Sequence, residues 1–441
     1  MGVLRTWLAQ HAYSALLRLF TPAYFWRLWR RGRAEPAYRL HWPQRMGFYD
    51  AAYRRQLAQA QAQARADSAP LVWIHAVSLG ETLAARPLLA ALRETWPGMR
   101  LVLTHGTATG RGAGQALLQA GDVQTWLPYD TPGAVRRFLR AHQLTLGVLM
   151  ETEIWPNVQR EASASGLPMV LANARLSAKS LRQALRFASL LRPAAQSLAL
   201  ALAQTESDAQ RLRQAGVNRV EVCGSVKFDL TPSPELLIRG RVWATRSDRP
   251  VVLAAVSREG EEAELLQVWT RLAAPPRLLI VPRHPQRFDD VASLVAQRGL
   301  SLSRRSTWGE AGPDDAALAC DVWLGDSVGE MPAYYACAQV ALLGGSFAPL
   351  GGQNLIEAAA CGCPLIMGPH TFNFAEAAQL SEAAGAARRV QTLAQAVEVA
   401  LELLVPAKHD AMAEHALQFA QRHRGAAARM AAAMNSIMRV R

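Results

Sequence analysis

Cysteine is scarce in this sequence, and patterns that would bind a metal are missing from it. Five thiols occur in 441 residues: Cys223, Cys320, Cys337, Cys361 and Cys363. The number is odd and the spacings fit no zinc motif, because one residue separates Cys361 from Cys363. They read as buried, reduced thiols of a cytoplasmic protein, which excludes a disulfide scaffold. No Asp-x-Asp pair occurs and no His, Asp or Glu cluster has ligand spacing, so no cofactor and no metal requirement is expected. Long apolar runs are missing too. The N-terminal stretch offers uncharged runs of only 11 and 8 residues, Trp7 to Leu17 and Leu19 to Trp26, against the ~20 that a membrane span needs. No small-residue cleavage site follows them, which argues against a secretory signal.

Acidic residues are outnumbered, 35 against 48 basic ones, and the net charge of +13 calls for an anionic partner. Nucleic acid, phosphorylated lipid and bilayer headgroups all qualify. No recognition helix and no aromatic-studded basic sheet is visible, so nucleic acid is not expected. The first 45 residues carry eight arginines against the single Glu35, interleaved with Trp and Leu. That mixture suits a helix lying in the headgroup plane of an anionic membrane, with packing on the protein's own surface as the alternative.

Half of the residues are hydrophobic, enough to fill the cores of two domains at this length. After a Gln/Ala-rich helical stretch at 51–69, short apolar runs alternate with helical patterns, which is the signature of a parallel α/β sheet. Strands are expected at 71–75, 101–104, 146–150, 169–172 and 198–203. Thr231-Pro-Ser-Pro234 then breaks the pattern. A second set follows at 251–256, 278–281, 340–343 and 364–367. The expected organisation is a membrane-associated segment at 1–45, one domain at 46–228, a linker at 229–236, a second domain at 237–408 and a C-terminal helix at 409–441 that packs back on the first domain.

Ligands in such sheets sit beyond the carboxyl ends of the strands, so the loops there are the candidates for chemistry. Ser78-Leu-Gly80-Glu81 follows the first strand and fits a capping box. A carboxylate at a helix start also keeps a low pKa and suits a general base, so the two roles compete for the same oxygens. Thr104-His-Gly-Thr-Ala-Thr-Gly-Arg111 resembles a phosphate loop without the spacing of either common type, and reads equally as a tight turn. Glu151 and Glu153 stand two apart after a strand, and Arg175 is a candidate to pair with them. In the second domain four segments favour anions: Ser257-Arg258 with its glutamates, Pro282-Arg283-His284, Gly325 to Glu330 including Gly329, and Gly344-Gly345-Ser346 leading to Asn354 and Glu357. Asn354-x-x-Glu357 again fits a capping box. Four such loops in one domain point to a nucleotide.

Taken in order, these stretches resemble the Kdo transferases of lipid A assembly over nearly the whole chain. The matching segments are Arg45-Met-Gly-Phe-Tyr49, Ser78 to Glu81, Met150-Glu-Thr-Glu-Ile-Trp-Pro156, Asn173-Ala-Arg-Leu-Ser177 and Lys227-Phe-Asp229. They continue with Pro282 to Pro285, Gly325 to Met331, Gly344 to Ser346, Asn354 to Glu357 and Met367 to Phe374. The resemblance implies a GT-B fold, two Rossmann-like domains facing a cleft, and a metal-independent inverting transfer. It implies CMP-Kdo as donor, a tetra-acylated lipid A precursor as acceptor and the cytoplasmic face of the inner membrane as location. It makes Glu81 the general base, with Gly344, Gly345 and Ser346 at a helix N-terminus facing the leaving phosphate. Arg283 and His284 would hold the nucleotide, and Asn354 with Glu357 the ribose. Ser257, Arg258, Pro282, Gly329 and Glu330 join the donor side. Ser78, Gly80, Thr104, Arg111, Glu151, Glu153, Arg175, Lys227 and His370 are candidates for acceptor or Kdo contacts. Arg258 stands where the family usually has His. Competing readings are a UDP-sugar enzyme of similar fold, such as a lipid-disaccharide synthase or an epimerase, and a membrane-bound nucleotide sensor without chemistry.

Overall fold

A computed structural model describes residues 2–439, which form two compact units. Of these, the first comprises residues 2–229 and 425–439, the second residues 230–424.

The first unit is built on seven parallel strands: β1 Leu71–His75, β2 Arg100–His105, β3 Val123–Trp126, β4 Leu146–Met150, β5 Met169–Ala174, β6 Leu200–Ala203 and β7 Val220–Val222. Their order is β3-β2-β1-β4-β5-β6-β7. The chain runs outward from β1 through β2 to β3, then returns to place β4 on the other side of β1. That reversal leaves a crevice at the carboxyl ends of β1 and β4. The central strands are buried along their whole length, so helices cover both faces and the strands read as continuous apolar runs. One face packs Tyr53, Leu57, Phe138 and Val158; the other packs Leu88, Leu92, Met430 and Met434.

The second unit repeats the plan with β8 Val251–Ser257, β9 Arg277–Pro282, β10 Leu302–Arg304, β11 Val322–Leu324, β12 Val340–Leu343, β13 Leu365–Met367 and β14 Ala387–Arg389. The order β10-β11-β9-β8-β12-β13-β14, again all parallel, puts the reversal between β8 and β12. Five strands lie outside the expected set: β3, β7, β10, β11 and β14. Each has three or four residues, and four of them carry polar or charged side chains. Too short for a period to show, they are recognisable only from the sheet they complete.

The N-terminal segment is part of the first unit. Its helix, Gly2–Arg31, is pinned by Tyr13 donating to Asp130 (2.9 Å) and Ser14 to Asn157 (3.0 Å). Arg45, in the short turn Trp42–Met46, is buried over the Trp126 ring and donates to Tyr24. At the other end, the single C-terminal helix expected from residue 409 is two. Pro406–His423 belongs to the second unit and Ala426–Arg439 to the first, broken at Gly425 with φ +87°. A left-handed residue cannot continue a helix. Asp229 caps the second piece, its carboxylate accepting the N–H groups of Gly425 (2.5 Å) and Ala427 (2.6 Å). Replacing Asp229 with Ala should therefore lower stability by about 1–2 kcal/mol. In hydrogen exchange, the amides of residues 426–439 should lose protection before those of the sheet.

Candidate functional site

At the crevice of the first unit, β1 ends at His75 and the helix Leu79–Thr95 begins under a Ser78 cap, whose Oγ accepts the Glu81 N–H (3.4 Å). The reciprocal half of a capping box is missing. Glu81 reaches past the cap residue, its Oε2 accepting the Val77 N–H (2.9 Å) and its Oε1 the Ser78 hydroxyl (3.1 Å). Its pKa is not low, as a helix start would suggest. Burial pushes it up, the bonds from Val77 and Ser78 restrain it, Glu151 raises it and Lys227 lowers it.

From β4 come the two other carboxylates. Glu151 takes a left-handed backbone (φ +58°) and faces Lys227 Nζ at 3.8 Å. Lys227, and not Arg175, is thus the ion-pair partner; Arg175 is exposed and makes no ion pair among the described residues. Glu153 is driven up to about 7 by burial, with the charges of Glu81 and Glu151 adding to the effect. Three carboxylates and one ammonium therefore share the end of β1 and β4, with Gly80 exposed on the first helical turn.

Two candidates near this crevice have other work. Thr104 is fully buried, its Oγ1 bonded to Trp73 Nε1 (2.8 Å) and to His75 Nδ1 (2.9 Å), so it cannot touch a ligand. Gly110 and Gly114 after it serve close packing. A Cβ on Gly110 would meet the Ser78 backbone at 3.0 Å, and one on Gly114 would collide with His105. Arg111 lies over the Trp126 ring at 4.9 Å.

In the second unit the candidates gather at the ends of β8, β9, β12 and β13. Arg283 and His284 are exposed, and their side chains make no hydrogen bond or ion pair among the described residues, which leaves them open to an anion. Pro282 ends β9, buried. The Arg258 side chain bonds its neighbour Glu259 (3.0 Å) and no other side chain among the described residues. His370 is partly buried and donates its backbone N–H to Ser346 O (3.0 Å). Asn354 caps the helix Leu355–Ala360 through the Ile356 N–H (3.2 Å), but Glu357 does not reach back. The Glu357 carboxylate accepts no bond among the described residues and burial raises its pKa, as suits a group waiting for donors such as ribose hydroxyls.

Other expected contacts are committed inside the protein. Ser257 donates to the buried Glu262 (2.8 Å). Glu330 is held by Arg239 (2.8 Å), Arg305 (3.0 Å) and Ser327 (2.5 Å) beside the left-handed Gly329. Burial would raise the Glu330 pKa, but the Ser327 bond and Arg305 bring it below the usual value. Ser327 sits in a Gly-x-Ser-x-Gly spacing, yet its hydroxyl bonds Glu330 and Tyr334, and no histidine among the described residues bonds it. Residues 344–346 lie in a turn and not at a helix start, since the next helix begins at Leu355. Ser346 is buried, bridging Leu343 O and Gly368 N. The Gly345 amide donates to Glu261 (2.8 Å), a residue whose place at the site sequence reasoning missed; the acidic pair Glu261-Glu262 after Gly260 was the available signal.

Comparison with known proteins shows the family and the fold. A family model described as 3-Deoxy-D-manno-octulosonic-acid transferase (kdotransferase) matches residues 40–230. The chain is 48% identical over 432 residues to a 3-deoxy-D-manno-octulosonic acid transferase of Bordetella pertussis, covering 95% of this chain and 96% of that one. It is 32% identical over 405 residues to the enzyme of that description from Haemophilus influenzae, covering 90% of each. The crystal structure of a glycosyltransferase from Rickettsia africae superposes with a TM-score of 0.56 at 12% identity, over 84% of this chain and 98% of that one, and so shares the GT-B-like fold.

The Glu153 shift carries a sign. Its native pKa of about 7 exceeds the ~4.3 of an unfolded glutamate, so the native state binds the proton more tightly and loses stability as pH rises between the two. Glu153→Gln should match wild type near pH 4 and exceed it by about 1–2 kcal/mol above pH 7, a figure reduced for the group's partial solvent contact. Urea unfolding at both pH values measures the difference.

Proposed function

Since the chain belongs to the 3-deoxy-D-manno-octulosonic acid (Kdo) transferase family, a family of glycosyltransferases, we propose that it moves Kdo from CMP-Kdo onto the distal glucosamine of a tetra-acylated lipid A precursor. The observation that carries this reading is the partly desolvated Glu81 carboxylate at the strand-order reversal of the first unit, set among Glu151, Glu153 and Lys227. A base whose pKa is lifted toward neutrality is a better proton acceptor than an exposed glutamate. In the proposed step Glu81 takes the proton of the acceptor hydroxyl. The oxygen bonds the anomeric carbon of Kdo, and the bond to the CMP phosphate breaks with inversion. The electron pair leaves on CMP, whose phosphate is met by Arg283 and His284, with Glu357 on the ribose. Lys227 and Arg175 suit the carboxylate of the sugar or the phosphates of the acceptor. No step of this proposal calls for a metal.

The test is a transfer assay with CMP-Kdo and the lipid acceptor, read by product mass. Wild type should yield Kdo-bearing lipid, while Glu81→Gln, folded and still binding CMP, should lose at least about a hundredfold in turnover. An unchanged rate in Glu81→Gln would remove it as the base. A folded wild type that produces no Kdo-lipid would remove the donor and acceptor assignment.

The same reading places the protein on an anionic membrane surface, the cytoplasmic face of the inner membrane. No described helix is long and apolar enough to span a membrane. The N-terminal helix keeps many apolar side chains outward: Tyr13 and Ser14 bond inward and Leu28 is buried, while Trp7, Leu8, Leu16, Leu19, Phe20, Trp26 and Trp29 are exposed. Arg5, Arg18, Arg27 and Arg30 are exposed along it. Apolar rings flanked by arginines match the boundary between acyl chains and anionic headgroups. The protein should float with vesicles containing phosphatidylglycerol and not with pure phosphatidylcholine. Serine at positions 7, 8 and 20 together should weaken that binding by roughly tenfold or more. Equal binding to both vesicle types would overturn the electrostatic part.

A further inference from the structure

The crevice of the second unit already holds an anion of its own. Glu261, 6% exposed, opens the helix Glu261–Trp269. Its Oε2 accepts the N–H groups of Arg258 (2.9 Å) and Gly345 (2.8 Å). Its Oε1 accepts those of Phe347 (3.2 Å) and Ala348 (3.4 Å). The four donors are all backbone, and they come from the loops after β8 and β12, the two strands that flank the strand-order reversal. Among the described residues no arginine or lysine is paired with Glu261, so its charge rests on peptide dipoles and the helix start.

The surroundings show what this carboxylate holds in place. Val256, just before Ser257, adopts φ +56°, a conformation costly for a β-branched residue and stable only when its surroundings impose it. The pairing of β8 with β9 slips at that point. Gly344 lies against the Val256 carbonyl so closely that a Cβ would collide with it. The two loops are therefore pressed together, one strained and the other bare of side chain, and the carboxylate bonds both.

We infer that Glu261 is a positioning residue, an internal anion that fixes residues 344–348 for donor binding. The amides of Gly345, Phe347 and Ala348 are thereby turned inward, and the donor phosphate is left to the side chains of Arg258, Arg283 and His284. This rests on the nucleotide-sugar reading of the second unit.

Removing the carboxylate should empty a cradle that a small carboxylate can refill. Glu261→Ala should melt earlier than wild type and bind CMP roughly tenfold or more weakly, with a raised KM for CMP-Kdo and a lesser change in kcat. Formate or acetate should restore both melting temperature and CMP affinity in this variant. Chloride at equal ionic strength should not, and wild type should respond to neither. Glu261→Gln keeps the shape but turns N–H groups toward N–H donors, so it should fold and show the CMP defect without rescue, which keeps the test decisive if the alanine variant is unstable. Wild-type CMP affinity in either variant, or a melting defect in Glu261→Ala that carboxylates leave untouched, would overturn the inference. Carboxylate rescue of melting in a protein that binds no CMP would instead retain the internal anion and sink the donor reading.

Discussion

A carboxylate accepting backbone N–H groups is the interaction on which both crevices depend. Where a parallel strand ends its ladder stops, and where a helix begins its first amides lack a partner. This chain meets that need with acids. Glu81 takes the Val77 amide, Glu261 takes four, Asp130 takes Asn157 and Val158, Asp208 takes Leu176, and Asp229 takes Gly425 and Ala427. Bonds of this kind are charge-assisted and roughly twice as strong as neutral ones, and they fix a loop through its main chain whatever its side chains do. The division of labour also shapes the surface. Several of the 35 acidic residues are turned inward, so the exterior is more positive than the formal +13 indicates. Arg283, His284 and the arginines of the N-terminal helix stay exposed.

The plan of the fold was legible because the central strands are long enough, and buried deeply enough, to read as apolar runs. The reversals at β1–β4 and β8–β12 were not, since strand order is a property of how the chain returns and leaves no local pattern. Within the sites, legibility stopped at contacts between distant segments. Ser78 and Glu81 advertise a helix start by their spacing, but only the structure shows Glu81 bonding Val77 and leaving half of the capping box unmade. Lys227 faces Glu151 from far along the chain. Thr104 was misread because a threonine in a strand covered on both sides looks the same whether its hydroxyl serves the core or a ligand. Glu261 was visible as an acid after glycine, yet its meaning lies in amides of residues 345–348.

Competition at Glu81 shows why an acid at a helix start need not be a strong one. The helix dipole and its first amides favour the charged form by typically 0.3–1 kcal/mol, less than one pKa unit. Desolvation works the other way and reaches 3–5 units for a fully buried acid. With Glu81 only partly buried, burial wins, and the Val77 and Ser78 bonds keep the excess in check. Burial, with the charges of Glu81 and Glu151, drives Glu153 up to about 7, and it accepts no backbone N–H among the described residues. Two carboxylates of one crevice thus differ in the bonds they accept, Glu81 being seated on its loop by Val77 and Ser78. Glu151 completes the set through a lysine, one of three in the chain. A compact ammonium on a flexible stem can shift its attention between that carboxylate and an incoming anion, which a guanidinium locked in a bidentate fork does less readily. In the proposed reaction the acceptor side then draws on the groups gathered at this end of the sheet: Glu81 as the proposed base, Glu153 with its carboxyl raised to about 7, and the Lys227 ammonium facing Glu151.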